Sequence, residues 1–204
     1  MNSKTFLLSI LACTLLALPA YASDSNDELD PFAPNVEQTL KAFDAVYEKT
    51  TGQSAQIEDF ADLATGADNL FVQSCYRQTC PLWIHVDKSS QTLTYYVNGN
   101  QEGRWLVSSG IPGRDTPDFD THPDGRIYHA YTSTKYPEGD YHGLGNMPYA
   151  IFIQGGFALH GTPFMGKLGR KASHGCIRMH PDNAARLNQL VRSYGVRSTW
   201  ITVD

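Results

Sequence analysis

Ser173-His174-Gly175-Cys176-Ile177-Arg178, with His160-Gly161 a short way upstream, is the stretch on which the reading of this chain turns. A thiol is a useful nucleophile only when a neighbour makes it a thiolate, so the company of Cys176 matters more than the cysteine itself. One imidazole lies two residues before Cys176 and another lies sixteen before it. Gly175 lets the backbone turn tightly, so the N–H groups of Gly175 and Cys176 can aim at an oxyanion. A nucleophile, candidate bases and an oxyanion hole are the parts of cysteine acyl transfer. The plain alternative, a small buried apolar cysteine, leaves that company unexplained.

These residues resemble the L,D-transpeptidase (YkuD-type) catalytic domain, whose signature is a His, a spacer, then Ser/Thr-His-Gly-Cys. Here it reads Leu159-His160-Gly161-Thr162, twelve residues between His160 and Ser173, then Ser173-His174-Gly175-Cys176-Ile177-Arg178-Met179. The resemblance reaches back to about Pro81. It implies a β fold and an enzyme that cross-links or trims bacterial peptidoglycan. It also implies that Cys176 is the nucleophile and His160 its general base. The carbonyl of Gly161 would orient the imidazole in place of a carboxylate, and no well-placed Asp contests that role. His174 either tunes the thiolate or holds the site structurally. Ser173, counted with the substrate-binding residues, is suited to holding the loop by side-chain hydrogen bonds.

Arg178 follows Cys176 by two residues, so in an alternating strand it shares a side with the thiol. A guanidinium there is shaped to clamp a substrate carboxylate, and peptidoglycan stem peptides carry several. Lys167, Arg170 and Lys171 add positive charge before the motif, as a basic rim or an ordinary solvated loop. Residues 128–149 are rich in tyrosine and glycine and read as a lid, with Tyr131 and Tyr149 as candidate substrate contacts. His129 and His142 lie in the same stretch but lack tight ligand spacing, so no metal and no cofactor is expected. After Thr116-Pro117, residues 118–125 look like an insertion relative to the family, placed to alter the cleft entrance.

The N-terminus has the form of a secretory signal. Lys4 is the charged start, residues 6–18 are an apolar run, and Ala20-Tyr21-Ala22 offers a cleavage site after Ala22. Export to the periplasm is the expectation, with membrane contact limited to export. Residues 23–75 form an acidic linker and helical preface, and residues 76–204 the catalytic domain. Eleven acids and two lysines fall between residues 23 and 72, against ten acids and thirteen lysines or arginines from 73 to 204. No basic run is dense enough for nucleic acid. In an oxidising compartment Cys75 and Cys80 are the natural disulfide pair, leaving Cys176 free.

The periodicity gives a mainly β sandwich or barrel-like domain with few helices. Asn35 reads as a cap before Val36, Leu40, Phe43 and Tyr47 at helical spacing, with Gly52 as the stop; a second short helix is expected over residues 57–63. Strands are expected over 83–86, 93–97, 104–108, 127–131, 150–153, 158–160 and 199–203, with turns around Asp87 and at Asn98-Gly99. Pro181 opens a helix that Gly195 closes. The functional expectation is a cysteine L,D-transpeptidase that cross-links stem peptides or attaches a wall-anchored lipoprotein. Hydrolysis of the same acyl-enzyme would make it an L,D-carboxypeptidase or endopeptidase. A non-catalytic wall-binding module is the alternative outside enzymes, and the intact Cys176 and His160 argue against it.

Overall fold

The computed structural model describes residues 30–57, 75–133 and 135–204. The expected signal segment and nearly all of the expected helix over 57–63 lie outside the described residues.

Two-residue alternation builds the first half of the sheet. In β1 (Leu82–Asp87), Leu82, Ile84 and Val86 are fully buried, and in β2 (Thr92–Val97), Leu93 and Tyr95 face the same core. Asp87 closes the connecting turn by accepting the N–H groups of Ser89 and Ser90 at 2.8 and 3.1 Å. Asn98 and Gly99, both at positive φ, then reverse the chain into β3 (Asn100–Ser108), as a tight hairpin requires.

Five further strands complete the sheet: β4 (Phe119–Thr121), β5 (Ile151–Gln154), β6 (Phe157–Gly161), β7 (Ile177–Met179) and β8 (Thr199–Val203). Their order is β4-β8-β1-β2-β3-β7-β6-β5, with β1–β8 and β6–β7 parallel. The sheet curls towards a barrel, and the ring of Phe119 on one edge strand meets that of Phe157, next to the other edge, at 5.4 Å. One helix, α2 (Pro181–Tyr194), buries Ala184, Leu187 and Val191 against the main core.

Two expectations need correction. Residues 127–131 contribute an isolated bridge, Ile127 to Ile151, rather than a strand. The chain there is occupied by side chains instead, since Tyr128 and Tyr131 are buried under a helix. The apparent insertion at 118–125 contains β4, which pairs with β8, so it extends the sheet. Asp120 fastens that edge by accepting from Tyr76, Arg77, Trp200 and Thr202.

The preface packs on the domain through α1 (Val36–Thr51). Gly52 ends it in the left-handed region, φ +68°, where a side chain would be strained. Leu40 and Tyr47 are buried, and Phe43 lies 4.1 Å from the Tyr131 ring. The polar half of this interface centres on Arg126, whose side chain is 9 % exposed. It pairs with Asp44 at 3.1 Å, Asp124 at 3.0 Å and Glu37 at 3.2 Å, and Tyr128 donates to Asp44. Removing one member of a buried ion cluster strands the others. Arg126→Ala is therefore expected to cost about 3–5 kcal/mol in denaturant unfolding. A loss under about 1 kcal/mol would show that α1 is held by its apolar face alone.

Cys75 and Cys80 form a disulfide, and Cys176 is a free thiol. The small loop they close is worth about 2 kcal/mol on the chain-entropy estimate. Thiol titration of the unfolded, unreduced protein, lacking the N-terminal segment that carries Cys13, should find one thiol. Three would contradict the pairing.

Candidate active site

Strand pairing brings the chemistry together. The parallel register of β6 and β7 sets His160 opposite Arg178, and Cys176 immediately precedes β7. His160, His174, Cys176 and Arg178 all line one cleft. The His160 residue is 3 % exposed. Its Nδ1 lies 2.7 Å from the Gly161 carbonyl oxygen. A carbonyl only accepts, so Nδ1 carries the proton and Nε2 keeps its lone pair.

The loop before Cys176 is built from the sheet outward. The N–H groups of Ala172 and Ser173 donate to the Ser109 carbonyl, and Gly110 bridges Ser173. Gln91 in turn fixes Ser109, accepting from its N–H at 2.8 Å and donating to its hydroxyl at 2.7 Å. Ser173 is fully buried; its hydroxyl donates to the Cys176 carbonyl at 2.5 Å and accepts from the Gly175 N–H at 3.1 Å. Ser173 holds the loop through its hydroxyl, as expected, but its full burial leaves no surface for the substrate contact also expected of it. The Gly175 N–H, expected to face an oxyanion, is committed to Ser173. Gly175 is still required for its backbone, at φ +129°. Its carbonyl accepts from Thr116, which accepts from the Gly110 N–H and so ties the turn to the end of β3.

Burial sets the protonation of the pair. It pushes the Cys176 thiol up to about 11, against the opposing pull of the Ala158 N–H and the Arg178 charge. It pushes His160 down to about 3, helped by Arg178 and resisted by the Gly161 carbonyl. The resting pair is thus neutral thiol and neutral imidazole, and the proton moves during reaction. The logarithm of the Cys176 alkylation rate should accordingly rise with slope near one from pH 6 to 10. A rate flat from pH 5 to 8 would mean a preformed thiolate–imidazolium pair.

His174 stacks flat on Tyr136, centroids 3.9 Å apart and 8° between planes. Its Nδ1 is buried and has no hydrogen-bond partner among the described residues. Burial lowers its basicity, with Arg178 and Arg114 adding to the effect. Arg178 reaches the cleft, and its Nη1 also donates to the Ala172 carbonyl at 3.0 Å.

The loop aromatic in the cleft is Tyr136. Tyr131 is 2 % exposed and belongs to the core beneath α1, while Tyr149 packs on the main core with its ring against His129. Neither lines the cleft, because Tyr131 is held under α1 and Tyr149 on the main core, whereas Tyr136 stacks on His174. Glu138, Asn146 and Met147 also line it, and Pro31 enters from the preface. Loop periodicity gives no signal for which tyrosine turns inward. Of the basic residues before the motif, Lys171 pairs with Asp115 at 3.0 Å and Lys167 lies over Phe164, which lines the cleft.

The fold carries one cleft lined by a free thiol, two imidazoles and a guanidinium, and comparison with known proteins names its kind. The family model of the L,D-transpeptidase catalytic domain (YkuD) matches residues 81–202, and the chain belongs to that family. An L,D-transpeptidase from Mycobacterium smegmatis is similar at 22 % identity and TM-score 0.50, covering 61 % of this chain and 59 % of that one. An L,D-transpeptidase from Mycobacterium tuberculosis H37Rv is similar at 19 % identity and TM-score 0.50, covering 61 % and 58 %. L,D-transpeptidase 3 from Mycobacterium tuberculosis, carrying a faropenem-derived adduct, is similar at 18 % identity and TM-score 0.50, covering 61 % and 60 %. The match thus spans about three-fifths of those chains. None of the curated proteins compared matches this chain.

Proposed function

We propose that this chain is an exported L,D-transpeptidase that acts on peptidoglycan stem peptides through a thioester on Cys176. The observation that carries the reading is the convergence of Cys176, His160 and Arg178 on one cleft, with the His160 tautomer fixed by Gly161. In the acylation step the Cys176 thiol gives its proton to His160 Nε2 as sulfur attacks the peptide carbonyl between the third and fourth stem residues. The His160 imidazolium then returns that proton to the departing amine of the terminal D-residue. In the second step His160 takes a proton from an acceptor amine, which attacks the thioester and releases the thiol. Arg178 offers a fixed positive charge to a stem carboxylate.

The acceptor is an amine of a second stem or of a wall-anchored lipoprotein. Water as acceptor would make the same acyl-enzyme a carboxypeptidase or endopeptidase. Export to the periplasm rests on the N-terminal sequence, with its apolar run over residues 6–18 and Ala20-Tyr21-Ala22. Incubation of purified protein with a tetrapeptide donor and an excess of stem acceptor distinguishes the outcomes. Cross-linked dimer with released D-residue supports transpeptidation. Tripeptide without dimer would assign hydrolysis, and an unchanged donor would contradict the reading.

A further inference from the structure

The residues ahead of α1 lie across the mouth of the catalytic cleft. Asp30 is 11 % exposed in its side chain and meets two cations. Arg114 Nη1 donates to its two oxygens at 3.1 and 3.2 Å, and Lys135 Nζ donates at 2.9 Å. The Phe32 N–H closes back on Asp30 Oδ1 at 3.1 Å. Pro31 therefore lines the cleft that holds Cys176, and the Phe32 ring packs edge-on against Phe157 at 5.2 Å.

Two glycines make room for this strap. A Cβ on Gly156 would stand 2.6 Å from Pro31 Cα, and one on Gly175 would stand 3.1 Å from Phe32 and 3.2 Å from Pro31. Both positions are at the nucleophile. The Cys176 thiol donates to the Gly156 carbonyl at 3.6 Å, and Gly175 directly precedes Cys176. The seated strap thus packs on the two glycines nearest the thiol, one its hydrogen-bond acceptor and the other its chain neighbour.

The strap is held less firmly than the helix behind it. Behind it, α1 is fixed by the buried Arg126 cluster and an apolar face. The strap rests on two cations that are 34 % and 31 % exposed and on a Phe32 that is 46 % exposed. Cations with such exposure stay within reach of an anion from solvent. Arg114 also faces the cleft wall, with its guanidinium 5.9 Å from the ring of Tyr136.

We propose that Arg114 and Lys135 form a carboxylate subsite of this cleft, filled in the structure by the chain's own Asp30 and opened when a carboxylate of an anionic peptide displaces it. The ligand rests on the proposed function, which supplies a stem peptide bearing free carboxylates. Displacement moves Asp30 off the cations and withdraws Pro31 from beside the thiol. The strap then acts as a competitor that only an anionic substrate removes, which selects acidic peptides over neutral ones.

The test is protection of Cys176 from iodoacetamide by a stem tetrapeptide, read by mass spectrometry on the full chain with its disulfide intact. Asp30→Asn removes the internal competitor while keeping the side chain's shape. The half-protecting peptide concentration should fall about tenfold, as expected if the open state is about one-tenth populated in the parent. Adding Arg114→Gln to Asp30→Asn should abolish the gain, and thermal melting checks that each variant is folded. Equal protection in the parent and Asp30→Asn would overturn the proposal. So would a gain that survives Arg114→Gln, or equal protection by a peptide whose carboxylates are all amidated. Protection of no variant by any peptide would instead strike the stem-peptide reading itself, and the subsite's ligand with it.

Discussion

Cys176→Ala is expected to abolish turnover of stem peptides while leaving the fold intact. Without the sulfur no thioester forms, and no other thiol is free to replace it among the described residues. The loss should exceed about 10⁴-fold, the scale on which nucleophile removal leaves only binding and oxyanion effects. Thiol to methyl is a small change in volume, so stability should move by about 1 kcal/mol or less. The loop geometry does not depend on the thiol. It is held by the Ser173 hydroxyl on the Cys176 carbonyl and by Thr116 on the Gly175 carbonyl. A purified, folded Cys176→Ala protein that still processes muropeptides would remove the nucleophile from its assigned role.

His160→Ala should slow acylation by about 10²–10⁴-fold, the usual contribution of a positioned general base. The raised thiol makes the base more necessary, because at neutral pH almost no thiolate exists before a proton acceptor is engaged. His160→Asn keeps an N–H for the Gly161 carbonyl and loses the base, so it separates orientation from proton transfer. It should be as slow as His160→Ala and nearer the parent in stability. His174→Ala should be milder, since that ring is held by stacking on Tyr136 and has no bond to the thiol. A near-normal His160→Ala beside an inactive His174→Ala would reverse the two roles.

The local pattern made much of this molecule legible. Leu82, Ile84, Val86, Leu93 and Tyr95 alternate because one face of the sheet is core, and that face is visible as period two. Val36, Leu40, Phe43 and Tyr47 repeat at helical spacing because one stripe of α1 is buried. Asn98-Gly99 and Pro181 punctuate for reasons of φ alone. The cysteine loop was legible for another reason, since its residue types are dictated by chemistry.

What was hidden depends on contacts far apart in sequence. β4 and β7 are three residues long, too short to show a period. Tyr131 and Tyr136 are equivalent by composition, and only the position of α1 buries one and leaves the other lining the cleft against His174. The Gly175 N–H is lost to the oxyanion because Ser173 turns back within its own loop. Asp30 looked like one acid among many in an acidic linker. Its partners Arg114 and Lys135 lie 84 and 105 residues away.

The central claim is a covalent acyl-enzyme on Cys176, and intact-protein mass spectrometry of a rapidly quenched mixture with a tetrapeptide donor tests it most directly. The account predicts a protein heavier by the tripeptide acyl group, with one equivalent of free D-residue released. The adduct should map to the Cys176 peptide, be absent from Cys176→Ala, and discharge when an acceptor amine is added. Product formation with no adduct, or an adduct on another residue, would contradict it.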